Sequence, residues 1–134
     1  LIEGCKACRL LGNINREWRY GGALAGGTLT IRNVSNISVS GCQISNSAVR
    51  GIDVIDSVQC RISDNSLHND GTSESLQQAI RIAGRSSRNV VQNNSIVWEG
   101  VLPDGDLPAG RRPARGGVIE CPKECGRVLA NSIW

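Results

Sequence analysis

IDVIDSVQCRISDNSLHN, residues 52–69, reads as short strands broken by polar turns. Ile52 and Val54 alternate with Asp53, and Ile62 and Leu67 flank the pair Asp64-Asn65. That is the apolar/polar alternation of a strand, interrupted by turn residues. The same pattern recurs along the chain. In Ile80 to Trp98, residues Val91, Asn94 and Ile96 fall in phase with Ile62, Asn65 and Leu67. In Leu29 to Ser47, residues Leu29 and Ile31 match Ile52 and Val54, Val39 matches Ile62, Ile44 matches Leu67, and Cys42 takes the Asn position. Val128, Asn131 and Ile133 are in phase near the end, Leu10 and Asn13 near the start. About five repeats of roughly 20 residues point to a solenoid.

Within a repeat the pattern predicts three strands, near Gly51–Ile55, Arg61–Ser63 and Ser66–His68 in the quoted one. One winding cannot bury its apolar face alone, so windings stack and pair in parallel around a shared core. Asn13, Asn65, Asn94 and Asn131 then stack at a tight turn. Asn tolerates a left-handed backbone, and its amide can bond the Asn above and below. A β-sandwich is the plainer alternative, but it gives no reason for Asn to recur at one phase. Insertions at Asn15 to Thr28, Asp70 to Gln78 and Glu99 to Gly116 all fall between a third strand and the next first strand. In a solenoid that builds a wall along one side, often the binding side. Ser73 to Ala79 has the makings of a short helical turn.

The 134 residues make one domain by length. With no Phe and no Met, the core must be built from Ile, Val, Leu, Ala and Cys. The net charge of +3 argues only weakly for an anionic partner. No apolar run is long enough to span a membrane. No secretory leader opens the chain; it starts at Leu1-Ile2-Glu3, already strand-like, which implies a mature or excised piece of a longer solenoid. Of six cysteines, Cys42 and Cys60 sit in strand-like segments as small hydrophobes. Cys5 and Cys8 with Cys121 and Cys125 have the donor set of a zinc site, but stacking puts the pairs at opposite ends, so a local disulfide within a pair is the better expectation.

The I-x-x-N-x-I spacing, the Asn ladder and the one-sided insertions resemble the right-handed parallel β-helix of the pectin-lyase-like superfamily, over nearly the whole chain. The resemblance implies a substrate groove along the outer face of the first strands, walled by the inserted loops. It does not choose among lyases, hydrolases, epimerases, tailspikes and adhesins. Arg111-Arg112-Pro113-Ala114-Arg115 is one residue short of the Arg-x-Pro-x-x-Arg segment of some pectate lyases, and Asn69-Asp70-Gly71 does not match polygalacturonase motifs. No catalytic set carries over.

The repeats nevertheless say which side chains share a face. Glu3, Thr30, Asp53, Arg81 and Glu120 are expected to point outward from the first strands, one per winding, about 4.8 Å apart. In such a row Asp53 or Glu120 could act as base or acid while Arg81 steadies an anion; a solvated ladder of alternating charge is the plainer reading. His68, the only histidine, closes a third strand and is expected to face the groove as an acid or base, unless it merely decorates the surface. Trp18 and Trp98 are placed to stack on sugar rings, or to pack under loops, and Trp134 to cover an open end. Arg111, Arg112 and Arg115, with Asp70, would contact an acidic sugar. Nothing interleaves aromatics with these arginines as nucleic-acid binding would need. Asn-x-Ser occurs at Asn33, Asn36 and Asn93.

The sequence thus predicts an extracellular or periplasmic β-helix that binds, and as a lyase or hydrolase would process, an acidic polysaccharide. No cofactor is implied; calcium stays open, without a residue pattern that shows it. The alternative is a non-catalytic structural or adhesion segment, associating end to end or belonging to a larger parent chain.

Overall fold

Aliphatic residues that alternate along short segments can all be buried only if successive segments stack with their apolar sides in line. The computed structural model describes residues 1–12, 14–16, 27–45, 50–69, 78–98 and 119–133. The first winding holds β1 (Ile2–Glu3), β2 (Arg9–Leu11) and β3 (Ile14–Arg16). The next holds β4 (Gly27–Arg32), β5 (Ser38–Ser40) and β6 (Gln43–Ser45), followed by β7 (Arg50–Ile55), β8 (Arg61–Ser63) and β9 (Ser66–Asn69). Then come β10 (Gln78–Ala83), β11 (Asn89–Gln92) and β12 (Ser95–Trp98), and finally β13 (Ile119–Glu120), β14 (Gly126–Leu129) and β15 (Ser132–Ile133). They form three parallel five-stranded sheets, ordered β1-β4-β7-β10-β13, β2-β5-β8-β11-β14 and β3-β6-β9-β12-β15. This is a parallel β-helix.

The predicted phases hold. Leu29, Ile52, Ile80 and Ile119 form one inward file, and Ile31, Val54 and Ile82 the next. Val39, Ile62 and Val91 line the second sheet; Ile44, Leu67 and Ile96 line the third. Most of these are fully buried, each contributing ~1.5–3 kcal/mol over exposure. Val128 and Ile133 keep the register of Val91 and Ile96 but stay about half exposed, because the terminal winding has no further neighbour among the described residues.

The asparagine ladder is continuous. Asn65 Nδ2 donates to Asn94 Oδ1, and Asn94 Nδ2 to Asn131 Oδ1, both at 2.9 Å. Each Oδ1 also accepts a backbone N–H from one winding back: Asn65 Oδ1 from Cys42 N–H, Asn94 Oδ1 from Asn65 N–H, and Asn131 Oδ1 from Asn94 N–H. Asn13 lies outside the described residues. One expectation needs correcting. The left-handed backbone belongs to the preceding position, Gly12, Gly41, Asp64, Asn93 and Ala130, and not to the ladder asparagines. A second, shorter ladder was not foreseen: Ser57 Oγ accepts from Val34 N–H, and Ser86 Oγ from Ser57 N–H.

Left-handed residues also mark both ends of the corner between the first and second sheets. Asn33 and Asn36 are two of them, and Asn93 takes the same backbone at the corner between the second and third sheets; this backbone demand accounts for all three Asn-x-Ser asparagines. At Gly84, φ is +69° and an added Cβ would run into Asp56 Oδ1, which accepts the Arg85 N–H. Gly84→Ala is therefore expected to cost about 1–3 kcal/mol, read as a lower urea midpoint.

The predicted insertions are trimmed by the strands: Asn15, Arg16, Gly27, Thr28 and Gln78 belong to β3, β4 and β10. Gln78 and Ala79 being strand removes the end of the expected helical turn at 73–79; its remainder lies outside the described residues. Cys5 and Cys8 are joined by a disulfide, while Cys121 and Cys125 are free thiols. The pairs follow β1 and β13, opposite edges of the first sheet, as stacking required. Burial pushes the Cys60, Cys121 and Cys125 thiols up, with Glu124 adding to the effect at the last two.

Candidate functional site

Polar residues on the first sheet line up across its strands, three of which follow the insertions. The register aligns Thr30, Asp53, Arg81 and Glu120 across β4, β7, β10 and β13, as the repeats predict. Glu3 is not in this row. It pairs with Arg32, two residues further along the strand, and so belongs to the file of Ile55 and Ala83.

Arg81 grips Asp53 with two parallel bonds, Nε to Oδ1 at 2.7 Å and Nη2 to Oδ2 at 2.9 Å. Such bidentate pairs are the strong form of the guanidinium–carboxylate contact. Arg50 Nη1 stands 3.9 Å from Asp53 Oδ2. On the other side Gly27 leaves room for Asp53, since a Cβ there would come within 2.9 Å of the Asp53 Cβ. Thr30 ties that end of β4 through its hydroxyl, which bonds both Gly27 N–H and Gly27 C=O. Enclosed in this way, the Asp53 side chain is 0% exposed while that of Arg81 is 22% exposed.

Burial changes the role of Asp53. It points away from the apolar core, as alternation predicts, but it has no access to a bound molecule and both its oxygens are engaged. It acts as an anchor for Arg81, and the expectation that it serves as base or acid is corrected on that ground. Arg81 spends only Nε and Nη2 on Asp53; among the described residues its remaining donors are unclaimed. Glu120 is exposed and does not bond Arg81: Gln78 Nε2 donates to Glu120 Oε2 instead, and Gln78 Oε1 accepts from Arg50 Nε at 2.8 Å. Arg50 and Gln78 were missed because both lie three residues before the row, at the starts of β7 and β10. Their equal spacing before Asp53 and Arg81 was the available signal.

The other candidates are not gathered here. His68 lies in β9, in the third sheet, opposite Ser45 and Val97, so the structure does not set it in the row with Asp53, Arg81 and Glu120. Trp98 ends β12 opposite Asn69, also in the third sheet. Trp18, Asp70, Arg111, Arg112, Arg115 and Trp134 lie outside the described residues. Among the described residues no group of three or more His, Cys, Asp or Glu is placed to hold a metal ion, and no helix is long and apolar enough to cross a membrane.

What the site can do follows from these contacts. It presents a partly exposed guanidinium held from behind by two bonds, beside an exposed carboxylate steadied by an amide, on a parallel sheet. Comparison with curated proteins and with solved structures finds no match. A family model described as "Right handed beta helix region" matches residues 2–102. That span takes in β1 to β12, and β13 to β15 continue the same three sheets beyond it. Three parallel sheets in register, an internal amide ladder and this match over most of the chain lead to one conclusion: the chain belongs to the right-handed β-helix family.

Proposed function

We propose that this protein is an extracytoplasmic β-helix that binds an acidic polysaccharide along the outer face of the first sheet. One observation carries the reading: Arg81 is fixed by a buried carboxylate through two of its donors, while its side chain stays 22% exposed and its remaining donors are unclaimed among the described residues. Preorganised guanidinium is suited to a sugar carboxylate, which it can grip through two bonds. Arg50 and Gln78 extend the polar surface along the same sheet. For processing by lyase or hydrolase chemistry, Glu120 is the exposed group able to move a proton, and Arg81 the cation able to steady the resulting anion.

The test is titration of the protein with oligogalacturonates and with neutral oligosaccharides, followed by NMR or calorimetry. Arg81→Lys keeps the charge but loses the fork, and is expected to weaken uronate binding about tenfold, or ~1.4 kcal/mol. Any unsaturated or newly reducing product should disappear in Glu120→Gln. Absence of binding across the whole panel would sink the reading.

A second reading, a structural segment that associates end to end, has its own observation. Among the described residues the exposed large hydrophobics, Leu1, Leu11, Val128, Leu129 and Ile133, all lie on the first and last windings. Concentration-dependent assembly in sedimentation, with no glycan bound, would favour it.

A further inference from the structure

The second sheet carries an arrangement that the first does not. Its register aligns Arg9, Ser38, Arg61, Val90 and Arg127 across β2, β5, β8, β11 and β14. An arginine therefore stands on every other strand. All three are exposed, and none has an ion pair or side-chain hydrogen bond among the described residues. The strands of this sheet contain no acidic residue. On the first sheet, by contrast, Arg50 and Arg81 are tied to Gln78 and Asp53. Unpaired cations repeated in one straight file, separated by a small hydroxyl or an apolar residue, leave a surface whose charge is periodic and uncompensated.

We propose that this file binds a linear polysaccharide in which uronate and neutral sugars alternate, laid along the solenoid axis. The period fits: alternate strands of a parallel sheet are ~9.6 Å apart, about the length of an extended disaccharide. Each arginine fork takes one carboxylate. The neutral sugar between them lies over Ser38 or Val90, which offer a hydroxyl and an apolar face. Duplex DNA fits less well, because each strand places a charge every ~3.4 Å. The file also lacks aromatics on which unpaired bases would stack.

The experiment titrates the full chain with an oligosaccharide of alternating glucuronate and N-acetylglucosamine, long enough to cover all three arginines, at low salt. Arg61→Glu is compared with Arg85→Glu, which makes the same charge change at a corner residue whose side chain is 94% exposed. Circular dichroism checks that both variants keep the β-helix. Arg61→Glu should weaken binding about tenfold or more, and Arg85→Glu by less than about twofold. Equal weakening by the two variants would mean that only net charge matters, and overturns the proposal. So does tighter binding of duplex DNA than of the oligosaccharide, or no binding at all. The inference is independent of the first-sheet reading. A ligand lost in Arg81→Lys but kept in Arg61→Glu belongs to the first sheet alone and overturns the second-sheet site, leaving the other intact.

Discussion

Asn94→Ala is expected to destabilise the protein by roughly 3–5 kcal/mol, whereas Asn93→Ala, one residue earlier, should cost only about 1–2 kcal/mol. The two asparagines look alike in sequence and do different work. Asn93 is exposed with φ of +52°, so alanine there meets only the left-handed backbone penalty, and Asn93→Gly should be close to neutral. Asn94 is 1% exposed and sits at the centre of a network. Its Oδ1 accepts from Asn65 N–H and Nδ2, and its Nδ2 donates to Asn131 Oδ1 and to the carbonyls of Ile62 and Gln92. Truncation orphans the buried Asn65 N–H, takes one donor from the Ile62 carbonyl and breaks the ladder in its middle. Each buried group left unmade costs ~1–3 kcal/mol. Urea unfolding of the variants gives the comparison. If Asn93→Ala and Asn94→Ala shift the midpoint equally, the ladder is not what holds the windings in place.

That contrast also marks how far the sequence could be read. The inward files were legible because alternation and the recurring aliphatics agree at the same phase in every repeat. The ladder was legible because a side-chain amide, acceptor on one atom and donor on the other, can bond its own copy one winding away. Which of two adjacent turn residues takes the left-handed backbone was not, since Asp64-Asn65 and Asn93-Asn94 are polar at both positions. Gly12 and Gly41 at the earlier phase carried that signal, because glycine is the usual answer to a positive φ. The misplacement of Glu3 has a related cause. A strand with two inward aliphatics can slide by two residues and keep its alternation, so the pattern alone cannot separate Leu29 from Ile31 as the partner of Ile2. Alternation likewise gave the side on which Asp53 lies but not its depth, which depends on Gly27 being small enough to admit it and on Arg81 closing over it.

The buried pair yields the other large effect. Arg81→Met should cost about 3–5 kcal/mol, and Asp53→Asn only about 1–2 kcal/mol, although each removes one half of the same contact. The asymmetry follows from burial. Without Arg81, a fully buried carboxylate keeps, among the described residues, only the Arg50 cation at 3.9 Å. Without the charge of Asp53, an isosteric amide still accepts from Arg81 Nε, and the guanidinium, 22% exposed, turns to water. The double variant should recover part of the Arg81→Met loss, since it leaves no stranded charge, and a double-mutant cycle in urea measures the coupling. Equal single effects, or no coupling, would remove Asp53 as the anchor of Arg81. The same variants connect stability to binding. If the geometry of Arg81 is set from beneath, Asp53→Asn should weaken binding of a uronate oligosaccharide even though Asp53 cannot touch it, because a guanidinium free to turn to water loses the orientation that made its remaining donors useful.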